Sequence, residues 1–436
     1  MSFKKLIIIF LTIGVVNMMT NLFSQNKEIL DNGITFIHKY DSEQPIIGVI
    51  IFLKMGVIYE PRNLSGISSL LQAVITKGTK NRTAKQIAEE IESLGGTLSA
   101  DSDYDYSTIS LVVSNKYFEK SMEILSDIFF NPTFPKNEVE KEKLNIIAGI
   151  LSRKDNIFDT ALDEFLYNFY GKKHPYSRIP EGTIKTLKRI KREDLLNWWE
   201  KFYGVDRKNI VIVISGDIDY KTSKDIVMKY FSNIKKIKLP EIKTSEVNLK
   251  FKHIKKKKHF KQGYIMCGYK APSLSVDNIK DFLSLKLLNL YLGGGMSGKL
   301  FEILREKQSL GYETNSFFPT RLLDSHFVVY IGLDYDRVDI AKKELNRIIS
   351  EIKEGKLFGE NDLKEIKMKF KGRYLLDHQT NLRQAWYLGF WEIMGLGCEY
   401  DEKYVEEIEK LKLEDVREAA NKIFNENYVM VEIKPK

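Results

Sequence analysis

Residues 66–79 read Gly66-Ile67-Ser68-Ser69-Leu70-Leu71-Gln72-Ala73-Val74-Ile75-Thr76-Lys77-Gly78-Thr79, a run between glycines with no proline. Apolar side chains at Leu64, Ile67, Leu71 and Val74 recur at helical spacing and predict an amphipathic helix. Ser69, Gln72 and Ala73 stand at i, i+3 and i+4, so they are expected on one face, away from that apolar stripe. The face offers a hydroxyl, an amide and a methyl. An amide cannot take up a proton, and a methyl has no ligand atom.

The stretch resembles the zinc helix of the insulinase (pitrilysin, mitochondrial-processing-peptidase-like) metallopeptidases, where the matching run is Gly-Leu-Ala-His-Phe-Leu-Glu-His-Met-Leu-Phe-Lys-Gly-Thr. The two align without a gap, so the first His falls on Ser69, the Glu on Gln72 and the second His on Ala73. The resemblance implies that this helix, in an active member, holds Zn²⁺ with two imidazoles while the Glu acts as general base. A third ligand, a Glu on a downstream helix, corresponds to Gly149 within Glu138-Val139-Glu140-Lys141-Glu142-Lys143-Leu144-Asn145-Ile146-Ile147-Ala148-Gly149-Ile150. Residues 145–152 contain no carboxylate. The positions of both His ligands, the base and the third ligand are thus all without their groups, and neither zinc nor another cofactor is expected in this chain. His38, His174, His253, His259, His326 and His378 include no pair three to five residues apart, and Cys267 and Cys398 form no CxxC. Whether the two cysteines pair stays open.

The second half keeps other parts of the family pattern. Leu292-Gly293-Gly294-Gly295-Met296-Ser297-Gly298 and Leu304-Arg305-Glu306-Lys307-Gln308-Ser309-Leu310-Gly311-Tyr312 resemble its Gly-rich turn and Arg/Tyr motif. Gly293, Gly294 and Gly295 are expected to let backbone approach another chain or an extended peptide. The turn lacks the Gly-Lys-Ser/Thr arrangement of a phosphate-binding loop. The resemblance implies that Arg305 and Tyr312 reach substrate bound at the zinc of a partner. There they would hydrogen-bond the scissile carbonyl as its oxygen gains charge.

The chain also repeats itself. Leu187 to Leu195 matches Ile408 to Val416, and Ser93-Leu94-Gly95-Gly96 matches Ser309-Leu310-Gly311-Tyr312, with offsets of 221 and 216 residues. Near-constant offsets of half the chain imply a duplicated domain. Each half opens on a strand pair, read as a hairpin at Gly33–Ile37 and Ile46–Leu53 in the first. Two helices, an alternating strand, long amphipathic helices and a terminal strand follow. This order predicts an α+β fold of two similar α/β sandwich domains, each with an antiparallel-rich sheet and helices on one face. The resemblance, which also includes Leu30-Asp31-Asn32-Gly33, His174-Pro175-Tyr176 and Ser215-Gly216-Asp217, implies half of a clamshell around a peptide chamber.

The boundaries follow from composition. Residues 1–25 read as an export signal, with Lys4 and Lys5 before an apolar run from Leu6 to Val16 and a cleavage point after Ser24. An uncleaved anchor is the other reading, and only it would bring the chain to a membrane. The expected domains are 26–240 and 262–436, joined by a solvated basic linker at 241–261 that holds Lys252-His253-Ile254-Lys255-Lys256-Lys257-Lys258-His259. With 43% hydrophobic residues among 436, the chain is not disordered. Its net charge of +9 comes from lysines scattered among glutamates, and the basic run has no interleaved aromatics to stack on bases, so no nucleic-acid partner is expected. The sequence therefore predicts a periplasmic, non-catalytic subunit that binds unfolded peptide beside a homologous zinc-bearing partner. A peptide-binding or scaffold protein with no role in proteolysis is the alternative.

Overall fold

The computed structural model describes residues 25–206, 208–242 and 246–436; the expected leader lies outside them except for Gln25. The first half contains strands β1 (Asn26–Ile29), β2 (Thr35–Tyr40), β3 (Ile46–Leu53), β4 (Thr97–Ser102), β5 (Ser107–Ser114) and β6 (Ile210–Gly216). Its helices are α1 (Ile67–Ile75), α2 (Ala84–Ser93), α3 (Phe118–Phe130), α4 (Lys136–Arg153), α5 (Ile157–Tyr170), α6 (Ile184–Arg189), α7 (Arg192–Phe202) and α8 (Tyr220–Phe231). The second half contains β7 (Lys252–Lys258), β8 (Gly263–Ala271), β9 (Gly311–Phe317), β10 (Ser325–Leu333) and β11 (Tyr428–Pro435). Its helices are α9 (Ile279–Gly293), α10 (Val338–Lys353), α11 (Glu360–Asp377), α12 (Asn381–Ile393), α13 (Tyr400–Lys410) and α14 (Leu413–Ile423).

The sheets run β1-β2-β6-β3-β5-β4 and β7-β11-β8-β10-β9. Without the extra edge strand β1 the two orders are the same, and both contain a single parallel pair, β2 with β6 and β7 with β11. The duplication read from the sequence is therefore a duplication of topology. The Asp194/Asp415 repeat has a local cause: each carboxylate accepts the amide at its helix's N-terminus, from Lys191 at 2.8 Å and Lys412 at 2.7 Å. The opening hairpin is corrected, because β6 inserts between β2 and β3 and pairs with both. A strand more than 150 residues downstream wins that place through its wholly buried Ile210–Gly216 run.

The basic run is also corrected. It is no solvated linker; Lys252–Lys258 is the edge strand β7, parallel to β11. Buried Glu432 on β11 explains how lysines join a sheet: it meets Lys342 Nζ at 2.5 Å, Tyr335 Oη at 2.7 Å and His253 Nε2 at 2.8 Å. Lys256 and Lys258 reach Glu164 on α5 at 3.3 and 3.4 Å. The lysines left outward discourage pairing of this edge with another chain.

Each half covers one face of its sheet with its own helices. The nearly unbroken apolar run of β3 requires cover on both faces. That second cover is exchanged between halves. Helix α12 of the second half lies on β3 and β6, with Ala385 and Leu388 in one core with Ile50, Phe52 and Val213. Helix α5 of the first half lies on β8 and β11, with Ala161, Phe165 and Phe169 against Met266, Val429 and Val431. Contact is so close that a Cβ on Gly389 would stand 2.3 Å from the Phe52 ring, and one on Gly268 2.1 Å from that of Phe165.

Two expectations follow for stability. Gly389→Val or Gly268→Val should destabilise by about 2–3 kcal/mol or more through overpacking, whereas Gly149→Ala, in open space on a helix, should stabilise by about 0.5–1 kcal/mol; denaturant midpoints check both. For Glu432, burial opposes ionisation, but hydrogen bonds from Lys342, Tyr335 and His253 outweigh it and hold the carboxyl at about 2, against 4.5 ordinarily. The stability this lends is present above pH 4.5 and lost as pH falls toward 2. Hydrogen exchange on β7 should rise across that window in the wild type and be much less pH-dependent there in Glu432→Gln.

Candidate functional site

Helix α1 starts from a left-handed Gly66 (φ 93°). A side chain there would meet Glu181 O at 2.5 Å, and one on Gly182 would meet Ser65 O at 2.2 Å, so two glycines let these backbones touch. No side chain of the helix's own N-terminus caps it. Glu60 does so from outside, accepting from Gly66 N at 2.8 Å and Ser68 N at 3.0 Å. Burial pushes the Glu60 carboxyl up, against those amides and nearby Arg178, which itself donates to the carbonyls of Val57 and Glu60. Sequence reading missed both residues, since a cap supplied from six residues upstream leaves no periodic signal.

The expected face of Ser69, Gln72 and Ala73 is divided. Ser69 Oγ donates to Pro180 O at 2.8 Å and Ala73 is half-buried. Gln72 is not on an open face: it is 2% exposed, accepts from Tyr203 Oη at 2.9 Å and directs Nε2 to Thr108 O at 3.4 Å. An amide, both donor and acceptor, satisfies two buried neighbours that a carboxylate could not. Gly149 is exposed, with open space where a side chain would be. These four residues do not fit a zinc ion. Among the described residues the one cluster of potential metal ligands is Glu392, Cys398 and Glu399, far along the chain, and Lys27 already pairs with both glutamates at 2.7 and 3.6 Å. Cys267 and Cys398 are both buried and free, so they do not pair.

The second-half motif forms one assembly. Gly293 ends α9 so close to β9 that a Cβ would stand 2.3 Å from Asn315 Oδ1, and one on Gly294 would stand 2.4 Å from Lys369 Nζ. The expected approach of these glycines to another chain is therefore met first by their own: Lys369 Nζ and Arg373 Nη2 hold Gly294 O at 2.9 and 3.0 Å. Gly295 takes the left-handed φ of 85° in open space, and Met296 beside it is 81% exposed.

Arg305 and Tyr312 occupy adjacent irregularities. Arg305 lies in a π-helical segment, Phe301–Lys307, and Tyr312 is the extra residue where β9 pairs Glu313 with Gly332 but Gly311 with Leu333. Widened helical turns and β-bulges re-aim side chains and are common at functional sites. The exposed Arg305 guanidinium donates to Tyr312 O at 2.8 Å. The Tyr312 phenol turns inward over Gly332, its hydroxyl buried and unpartnered, and burial with Glu313 and Asp334 nearby pushes it up to about 12.

The family described as "Insulinase (Peptidase family M16)" matches residues 35–180, and "Peptidase M16 inactive domain" matches residues 189–370. The chain belongs to the insulinase (M16) peptidase family. An uncharacterized zinc protease of Rickettsia bellii is 26% identical over 94% of this chain and 97% of its own length. Among solved structures, a protease from Helicobacter pylori aligns with TM-score 0.86 at 21% identity, over 94% of this chain and all of that one. A peptidase M16 inactive domain from Pseudomonas fluorescens aligns with TM-score 0.86 at 22% identity, over 95% and 99% of the two chains. The M16 fold here thus carries, on and near helix α1, Ser69, Gln72, Ala73 and Gly149, none of which offers an imidazole or a carboxylate.

The new role of Gln72 is testable. Gln72→Glu should destabilise by about 1–3 kcal/mol at neutral pH, because a buried carboxylate would face the Thr108 carbonyl without a donor. Protonation restores that donor, so the deficit should shrink as pH falls, which chemical denaturation across pH can follow.

Proposed function

We propose that this chain is a non-catalytic subunit of a heteromeric, periplasmic zinc peptidase. It binds unfolded peptide and supplies Arg305 and Tyr312 to the active site of a zinc-bearing homologue. The observation that carries the reading is the contrast between the halves. In the first, the position of the general base has become a structural amide, Gln72, locked to Tyr203 and Thr108. In the second, Arg305 stays exposed and Tyr312 keeps an unpartnered hydroxyl, each on a local departure from regular structure. A protein that used the fold as scaffold alone would have no need of either irregularity.

In this reading the partner supplies metal and base, and this chain supplies charge stabilisation. A guanidinium with no carboxylate partner among the described residues can meet the oxygen of a polarised peptide carbonyl, whereas the Tyr312 hydroxyl, buried over Gly332 in this chain, would have to turn outward to donate to the same atom. The leader at 1–25 accounts for export.

The test is recovery of the tagged mature chain from its native host with whatever co-purifies near one-to-one. A homologue with an intact His-x-x-Glu-His helix is expected, and Arg305→Ala in that complex should lower kcat/KM for an unfolded peptide about 10²–10³-fold. A chain that returns alone and zinc-free sinks the proposal.

A further inference from the structure

A cavity of about 610 Å³, open to solvent, lies in the first half where segment 177–186 meets helices α4 and α5. Its size suits a small molecule or the end of a peptide. Ile150 of α4 and Leu166 of α5, both buried, form apolar wall together with half-buried Ile179 and Ile184. Ile150 follows Gly149, and Ile179 precedes Pro180, whose carbonyl accepts from Ser69 at 2.8 Å. The cavity therefore adjoins two of the residues singled out in the sequence.

Its charged groups are unbalanced. Arg62, Lys154 and Lys185 line it, all exposed, and none has a carboxylate partner among the described residues. Arg178 lines it as well, its guanidinium committed to the carbonyls of Val57 and Glu60. The one carboxylate in the lining, Asp163, is already held by Arg153 at 2.9 Å. Ser65 also lines the cavity; it is 2% exposed, and its hydroxyl has no hydrogen-bond partner. A buried hydroxyl left unpaired is costly, and in a native fold it calls for an absent ligand or water. Arg62 opens a short 3₁₀ turn, Arg62–Leu64, and Ser65 follows three residues on, so the cation and the lone hydroxyl stand on one side. Apolar walls, uncommitted cations and a hydroxyl without a partner match one chemistry, an apolar group that carries a carboxylate.

We infer that this cavity takes the C-terminal residue of the bound peptide, an apolar side chain against Ile150 and Leu166 and the free carboxylate at Arg62 and the Ser65 hydroxyl. Lys154 and Lys185 add attraction at long range. The inference rests on the peptide-binding reading above and names the part of the peptide that is held.

The test uses the isolated mature chain and short unstructured peptides, labelled at the N-terminus and identical except for their ends: leucine as free acid, leucine amide, serine as free acid, or glutamate amide. Fluorescence anisotropy should give the leucine acid a Kd at least about tenfold below each of the others, by a margin that shrinks with added salt. Arg62→Gln should cut the preference for acid over amide to about threefold or less. Ser65→Ala should also reduce that preference without lowering the thermal midpoint, because the hydroxyl has no partner to lose in the free chain. A preference undiminished by Arg62→Gln, glutamate amide binding as well as leucine acid, or decanoate displacing the leucine acid as effectively as an unlabelled leucine-ended peptide would each overturn the assignment, the last by giving the cavity to a free fatty acid. Equal binding of all four peptides overturns it and leaves the peptide-binding reading standing, whereas no binding of any peptide sinks both. Shared catalysis is judged separately, by the co-purifying partner and hydrolysis with Arg305→Ala.

Discussion

The exchange of helices between the two halves is the constraint on which the rest of this structure depends. Neither sheet can stand with one face covered, because β3 and β10 are apolar along nearly their whole length and would present that surface to water. Each half solves the problem with the other's helix, α12 on the first sheet and α5 on the second. The interface is therefore part of both cores, and glycines at 268 and 389 mark where the packing leaves no room for a side chain. Burial on this scale makes the halves one cooperative body rather than two domains on a tether.

A polar contact reinforces the exchange. Arg321 of the second half lies 4.1 Å over the Tyr104 ring, and Asp103 and Asp105 of the first half outweigh its burial and keep it charged. Burial raises Asp105 to about 6 despite Arg321, and the carboxylate accepts from Tyr176 of the His174-Pro175-Tyr176 segment. Tyr170 Oη meets His326 Nδ1 at 2.8 Å across the same junction. A family motif in the sequence is thus spent on holding the halves together. Pairing charges across a buried junction specifies one arrangement more than it adds stability.

The two sites read from the sequence differ in how the packing treats them. Helix α1 is buried on most sides, and Gln72 on it satisfies the core, accepting from Tyr203 and directing its amide to Thr108. Arg305 and Tyr312 lie at the opposite end of the chain's architecture, on an edge strand and a widened helical turn. Local irregularity there costs the sheet little, since an edge strand has only one neighbour to keep in register.

The sequence by itself determined the family, the duplication and the two-sheet α+β class, and it shows that Ser69, Gln72, Ala73 and Gly149 are residue types without an imidazole or a carboxylate. Each is a matter of residue type at local spacing, legible without long-range contacts. It misread the Lys252–Lys258 run and the first hairpin, because strand pairing there is decided by β11 and β6 from far along the chain. It also placed Arg305 and Tyr312 without their surroundings. Only the tertiary structure decided that Gln72 turns inward, that the glycines at 293 and 294 serve internal packing, and that a bulge in β9 turns the Tyr312 ring over Gly332. These depend on which distant backbone arrives beside a residue, and a one-residue slip in strand register leaves no trace in local composition or period.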